Sequence, residues 1–258
     1  MDKNEKKFTN FKIHTQYSIC EGAIKIDDLV NHCKLNNVKA VGLCDSLNLC
    51  GALEFAEKIS KIGTHPIIGT QINLSIDETV GKLPFFATTE IGYKNLIKLS
   101  SNSYLDSDEK SDPQSNLTSL ENSKKDLIVL SGNHNDLFGK LFKLNKLKQV
   151  EDFAKQIKKF FGDKFYFEIQ RHEESGENDF EDFIIHLSKK LDIPLIASQE
   201  VYYINQDMYE AHDALTCIGN KTFVDDINRI KLNDTHFLRK NEKLLNLFND
   251  IPEALENN

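Results

Sequence analysis

No stretch of this sequence is apolar for long enough to span a membrane, which takes about 20 consecutive apolar residues. No apolar leader follows Met1-Asp2-Lys3-Asn4-Glu5-Lys6-Lys7, so a soluble, cytoplasmic protein without membrane contact is expected. Cysteine is scarce. The five are Cys20, Cys33, Cys44, Cys50 and Cys217, an odd number without a Cys-x-x-Cys pair, which points to reduced thiols rather than a disulfide framework. Positive charge is also short: 32 Lys and Arg stand against 40 Asp and Glu, a net charge of −8. Such a chain does not coat itself with nucleic acid, and any contact with DNA calls for a local basic patch or a partner domain. A Gly-rich phosphate loop opening the first helix is missing, as is any short-period repeat.

What is present is an ordinary soluble composition, 40% hydrophobic and 28% charged over 258 residues. That length suits one barrel-sized domain, and 1–258 is expected to be a single unit. Helices are predicted from Ile24 to Leu35, Gly51 to Ile62, Tyr93 to Ser101, Val150 to Phe161, Phe180 to Leu191 and Tyr209 to Ile218. Strand-like runs fall between them, at Phe11 to Ser18, Ala40 to Cys44, Pro66 to Leu74, Leu83 to Ala87, Leu127 to Leu130, Phe165 to Ile169 and Leu195 to Ala197. Residues 102–125, rich in Ser, Asn, Asp and Lys, read as a polar low-complexity loop with a helical turn at Leu117 and Leu120. This alternation predicts an α/β fold with parallel strands and helices outside. Strand number and length favour a barrel over an open doubly wound sheet, which would also want the missing phosphate loop.

Polar residues gather where these strands end. His14 follows the first, Asp45 the second and Gln71 the third; Gln170 and His172 follow Phe165 to Ile169, and Gln199 and Glu200 follow Leu195 to Ala197. In a barrel those ends form the functional rim, the usual place for a metal or phosphate site. A single Asp after a strand, such as Asp45, is as often a helix cap as a ligand. The rim is nevertheless poor in ligands. With a period of two, Lys12 and His14 point to one side of the first strand. Two histidines so spaced would clamp an ion, but the Lys12 ammonium has three donors and no lone pair. His186 and His212 read as packing or hydrogen-bonding residues, and His32, His65, His134 and His236 lack ligand-spaced neighbours.

Several segments in fixed order carry a family resemblance. They are His14-Thr15-Gln16-Tyr17-Ser18 with Glu21-Gly22-Ala23, Asn48-Leu49-Cys50-Gly51, Pro66-Ile67-Ile68-Gly69, Gly92-Tyr93-Lys94-Asn95-Leu96 and Leu130-Ser131-Gly132. The most specific are Glu210-Ala211-His212-Asp213-Ala214-Leu215 and Leu247-Phe248-Asn249-Asp250-Ile251-Pro252-Glu253-Ala254-Leu255. Together they resemble the PHP (polymerase and histidinol phosphatase) domain at the N-terminus of bacterial replicative DNA polymerase III alpha subunits. The resemblance implies a distorted (β/α)7 TIM-like barrel. In metal-binding members its rim carries up to three divalent ions, held by a His-x-His, an Asp-His, a Gly-x-Glu, further histidines and a late Asp-x-His. Some members use them for phosphoester hydrolysis, including 3'-5' exonuclease proofreading.

Carried over position by position, the ligands are largely gone. His-x-His is Lys12-Ile13-His14, Asp-His is Asp45-Ser46 and Gly-x-Glu is Gly69-Thr70-Gln71. The histidine before the Leu83 strand is Lys82, the cysteine after Leu-Ser-Gly is Asn133, and the late Asp-x-His is Glu200-Val201-Tyr202. His14, Asp45, His172 and, by substitution, Glu200 remain as vestigial metal ligands. A dication and an ammonium 4 Å apart repel by roughly 8 kcal/mol at an effective dielectric of 20, so one lysine cancels much of a site's affinity. It can also neutralise carboxylates such as Asp45 and Glu200.

The resemblance therefore implies a metal-free, catalytically silent domain of a DNA-directed DNA polymerase, a nucleotidyltransferase. It would brace the polymerase core of the same chain and dock the proofreading exonuclease subunit among other replisome subunits. The core, with its own Mg-binding carboxylates, is expected beyond Asn258. DNA would be reached through the intact polymerase, and weakly or not at all by this piece. The competing expectation is an active metal-dependent phosphoesterase or 3'-5' exonuclease with Zn or Mn on His14, Asp45, His172 and Glu200.

Overall fold

The computed structural model describes residues 7–108 and 111–258. Its first half runs β1 (Lys12–Ile13), α1 (Ile26–Leu35), β2 (Ala40–Ser46), α2 (Ala52–Lys61), β3 (His65–Ile76), β4 (Thr79–Ala87), α3 (Glu90–Leu105) and α4 (Leu117–Ser123). Then come β5 (Leu127–Leu130), α5 (Leu137–Lys143), α6 (Leu147–Phe161), β6 (Phe165–Ile169), α7 (Glu177–Leu191), β7 (Leu195–Ala197) and β8 (Glu200–Val201). Three helices close the series: α8 (Tyr209–Asn220), α9 (Asn241–Leu247) and α10 (Pro252–Glu256).

Six strands form one curled sheet in the order β2-β3-β4-β5-β6-β7, and β1 pairs in parallel with β8, Lys12 opposite Glu200. Gly42 N–H donates to Asn10 O at 2.8 Å, so the small sheet closes against the β2 end of the large one, while Ser198 N–H, donating to Ile169 O at 3.0 Å, carries the β6–β7 ladder on toward β8. Gly42 permits this approach, because a Cβ there would lie 2.3 Å from Phe11 O. The result is the distorted TIM-like barrel expected.

Several features depart from the expectation, among them α5, α9 and β8, which form where no element was predicted. The strands are not all parallel: β3 pairs antiparallel with β4, and β4 with β5. Only Asp77 and Glu78 separate β3 from β4, with Asp77 at φ +50°, and so short a link can make only a hairpin, since a parallel crossover needs about a dozen residues. The helix expected from Tyr93 to Ser101 starts three residues earlier and runs on to Leu105. Thr89 caps its start by accepting from Gly92 N–H at 3.1 Å, and Ser103 Oγ donates back to Ser100 O at 2.7 Å, letting serines sit inside a helix. The far end of the polar stretch 102–125 is also helical, with Asn116 capping α4 by accepting from Ser119 N–H at 2.9 Å.

The core lies between the sheet and the outer helices. Val150, Phe153, Ala154, Ile157 and Phe161 form the buried stripe of α6. They meet an aromatic cluster in which Phe138 contacts Phe153, Phe165 and Phe167, with ring centroids 4.9 to 6.0 Å apart. Each buried ring contributes about 1.5–3 kcal/mol. Residues 221–234 carry no helix or strand, and Phe223, Ile227 and Ile230 project outward, 82%, 93% and 82% exposed. This strap is pinned by Arg229, whose Nη1 and Nη2 donate to the two oxygens of Asp213 at 2.6 Å each. Among the described residues no helix is long and apolar enough to cross a membrane.

Candidate functional site

Glu200 is the hub of the rim. It stands at the start of β8, buried, and its two oxygens collect side chains from three other parts of the barrel. Gln71 on β3 donates to Oε1 at 2.6 Å, and Asn133 after β5 donates to Oε2. His14 Nε2 lies 3.0 Å and Lys12 Nζ 3.5 Å from Oε1. An ionised carboxylate can only accept, so the amide ends facing it are NH2 groups. Lys12 holds the Glu200 carboxyl well below the usual carboxylate range, against the opposing pull of burial.

Lys12 is fully buried, at 0% exposure. Its ammonium reaches Glu168 on β6 at 3.1 Å as well as Glu200 at 3.5 Å, with Asp136, just before α5, at 4.0 Å. Removing an ammonium from water costs several kcal/mol. Each close carboxylate returns about 5 kcal/mol at an effective dielectric of 20. The pair outweighs the burial, and the Lys12 pKa is raised. Burial pushes the Asp136 carboxyl up to about 7, while Lys12 pulls the other way. Glu168 also accepts from Gln170 Nε2 at 2.6 Å and from Ser198 Oγ.

A second lysine centre lies nearer the mouth. Lys82 on β4 donates to Glu21 Oε1 at 2.7 Å and to Ser46 Oγ at 2.9 Å, and Ser46 Oγ donates to Glu21 Oε2. Tyr202 fills the remaining rim position, stacked on His14 at 4.6 Å and on His212 at 5.5 Å. Glu21, Lys82 and Tyr202, with Gln71, Asn133 and Glu200, wall a cavity of about 640 Å3 that Ile230 and Leu232 of the strap also line.

Of the other expected residues, Asp45 stands apart, whereas Gln170 and His172 line the same cavity. Asp45 turns away from Ser46, as strand alternation requires, and accepts from Thr15 N–H at 2.6 Å, Thr15 Oγ1 at 2.8 Å and Ser18 Oγ at 2.7 Å. It organises the turn after β1. His172 is buried, its Nε2 accepts Glu200 N–H at 3.3 Å, and burial with neighbouring His236 and Arg239 holds its pKa well below the ordinary value.

Sequence reasoning missed six members of this rim: Glu21, Asp136, Glu168, His134, Glu174 and His236. His134 Nε2 lies 3.2 Å and His236 Nε2 2.9 Å from the oxygens of Glu174, and His236 stacks on His172 at 3.9 Å. Glu168 carried a signal, a lone acid two residues before Gln170 in an apolar strand. His134, Glu174 and His236 come from three separate loops and carried none.

This donor set does not fit a metal cluster. Lys12 has no lone pair, Gln71 and Asn133 present N–H to the one carboxylate they could share with an ion, and Ser46 gives its proton to Glu21. Among the described residues no group of three or more His, Cys, Asp or Glu side chains is arranged to hold an ion.

Comparison with known proteins agrees with this architecture. Residues 10–172 match the family described as the PHP domain. The chain is 34% identical over 263 residues to DNA polymerase III subunit alpha of Borreliella burgdorferi, covering 97% of this chain and 23% of that protein. It is 33% identical over 264 residues to the same subunit of Caulobacter vibrioides, covering 99% of this chain and 23% of that one. The chain thus spans under a quarter of the length of these relatives. An amidohydrolase from Chromobacterium violaceum, solved with bound sulfate and no metal, shares the fold at a TM-score of 0.50 and 9% identity, covering 80% of this chain and 96% of that one.

Proposed function

Since the chain belongs to the PHP domain family, we propose that it forms the N-terminal domain of a DNA polymerase III alpha subunit, in which this barrel has given up hydrolysis. The intact subunit would be a DNA-directed DNA polymerase of the cytoplasm, using Mg in a core outside residues 1–258. The barrel itself binds no catalytic metal, braces that core, and offers a surface to the proofreading exonuclease subunit. DNA is reached through the core, and 1–258 acts as one domain.

The observation that carries this reading is the condition of Glu200. Both its oxygens are taken by Lys12, His14, Gln71 and Asn133, groups that donate protons where metal ligands would donate electron pairs. His14, Asp45, His172 and Glu200 are the vestigial set: each is spent on a neighbour within the chain.

Elemental analysis and turnover assays test it. The purified protein is expected to hold well under one Zn or Mn per chain and to release nothing from a 3'-labelled oligonucleotide or an aryl phosphate. The polypeptide of the whole gene is expected to extend a primed template with Mg. Full metal occupancy with hydrolysis would overturn the reading in favour of a metal-dependent phosphoesterase.

A further inference from the structure

We infer that the Lys12 ammonium is the resident cation of this barrel, joining β1 to β6 and β8 from inside the chain so that the fold requires no external ion. The inference deepens the silent-site reading above and rests on it. It starts from a mismatch within this rim: its donor set does not fit a dication, yet it keeps buried carboxylates that something must balance. Glu168 and Glu200 are 2% and 1% exposed, and Asp136 is 7% exposed. Uncompensated, such a group of acids would force its strands apart or take up protons.

The geometry shows how Lys12 answers this. Its Nζ lies within 4.0 Å of all three acids, and its stem is wholly enclosed. The position matters because β1 and β8 are two residues each and, among the described residues, form a two-stranded sheet of their own. The large sheet ends at β7. Besides the main-chain bond of Gly42 to Asn10 and the amide bonds of Gln71 and Asn133 to Glu200, the charged tie from the small sheet to the large one is the bridge from Lys12 on β1 to Glu168 on β6. Lys82 does different work. It is part-exposed, serves Glu21 and Ser46 near the mouth, and joins no strand of the small sheet to the large one.

A tethered cation differs from a bound one in a testable way, because it cannot be removed by a chelator. Thermal unfolding of the purified chain is the measurement. The unmodified protein is expected to melt within about 1 °C of the same Tm with EDTA or with added Zn. Lys12→Met keeps the length of the side chain and removes the charge, and is expected to lower Tm by about 8 °C or more. Lys82→Met is expected to lose less than half as much. Adding Glu168→Gln to Lys12→Met removes an orphaned acid and is expected to recover at least half of the loss.

A Lys12→Met melt within about 2 °C of the unmodified protein would overturn the inference. So would a fall of several degrees on chelation alone. If Lys12→Met does not fold, the double variant decides: a folded double variant supports the charge tether, and an unfolded one assigns Lys12 a role in shape only. Metal found in the unmodified protein would count against the silent-site reading, whereas the paired melts judge the tether separately.

Discussion

Gln71 donates its side-chain N–H to Glu200 across 2.6 Å, so an amide meets a carboxylate where a second acid would create a like-charge pair. Gln71→Glu is therefore expected to destabilise the chain by about 3 kcal/mol, since one of the two acids must hold a proton or repel its neighbour. Urea unfolding with and without the substitution measures this. A stability unchanged within error would show that Glu200 is already relieved by Lys12 and His14 alone.

Restoring ligands one at a time should achieve little. The combined set Lys12→His, Ser46→His, Gln71→Glu, Lys82→His and Tyr202→His is expected to raise metal content well beyond the sum of the single changes, because donors to one ion act as a unit. Mass spectrometry of metals in the five single variants and the combined protein checks it, with strict additivity as the contrary result.

Asp45 provides a counter-case. Its three hydrogen bonds go to Thr15 and Ser18, so Asp45→Asn is expected to cost about 1–3 kcal/mol in stability without altering metal content. A change in bound metal would return Asp45 to the role of a ligand.

Asp136 predicts a pH effect with a definite sign. Its ordinary value is 3.8 and burial raises it to about 7 in the folded chain. Between those limits the folded state keeps a proton that the unfolded state has released. Stability attributable to this group therefore falls as pH rises through the window and stays low above it. Asp136→Asn is expected to be less pH-dependent than the unmodified chain from about pH 4 to about pH 7. Parallel pH profiles for the two proteins would refute the assignment.

Binding to DNA is expected to be weak. With a net charge of −8, this chain alone should show no submicromolar affinity for a primer-template at physiological salt, since phosphate neutralisation supplies most non-specific affinity. Fluorescence anisotropy on the isolated chain settles the point.

Much of the barrel was legible because apolar spacing records burial directly. The α6 stripe and the run Phe165 to Ile169 needed no tertiary knowledge. The β3–β4 hairpin was hidden because the polar ends of both strands, Ser75 to Ile76 and Thr79 to Lys82, look like loop, and their pairing comes from a two-residue turn rather than from apolar content. At the rim, Lys12 was readable because strand period places it beside His14. Its partners were not. Glu168 and Asp136 meet it only through the closure of the barrel, and distances along the chain of more than 100 residues leave no local trace.

The stack of Tyr202 between His14 and His212 has an optical consequence. The chain contains no tryptophan, so its near-ultraviolet signal belongs to seven tyrosines and to phenylalanine. A phenol held against two imidazoles is a chiral chromophore, and fully buried Tyr203, tilted on the same His212 at 4.9 Å, is a second beside it. Near-ultraviolet circular dichroism thus views the rim itself, without a label, and loosening of the mouth becomes visible as lost tyrosine ellipticity while the far-ultraviolet helical bands still stand.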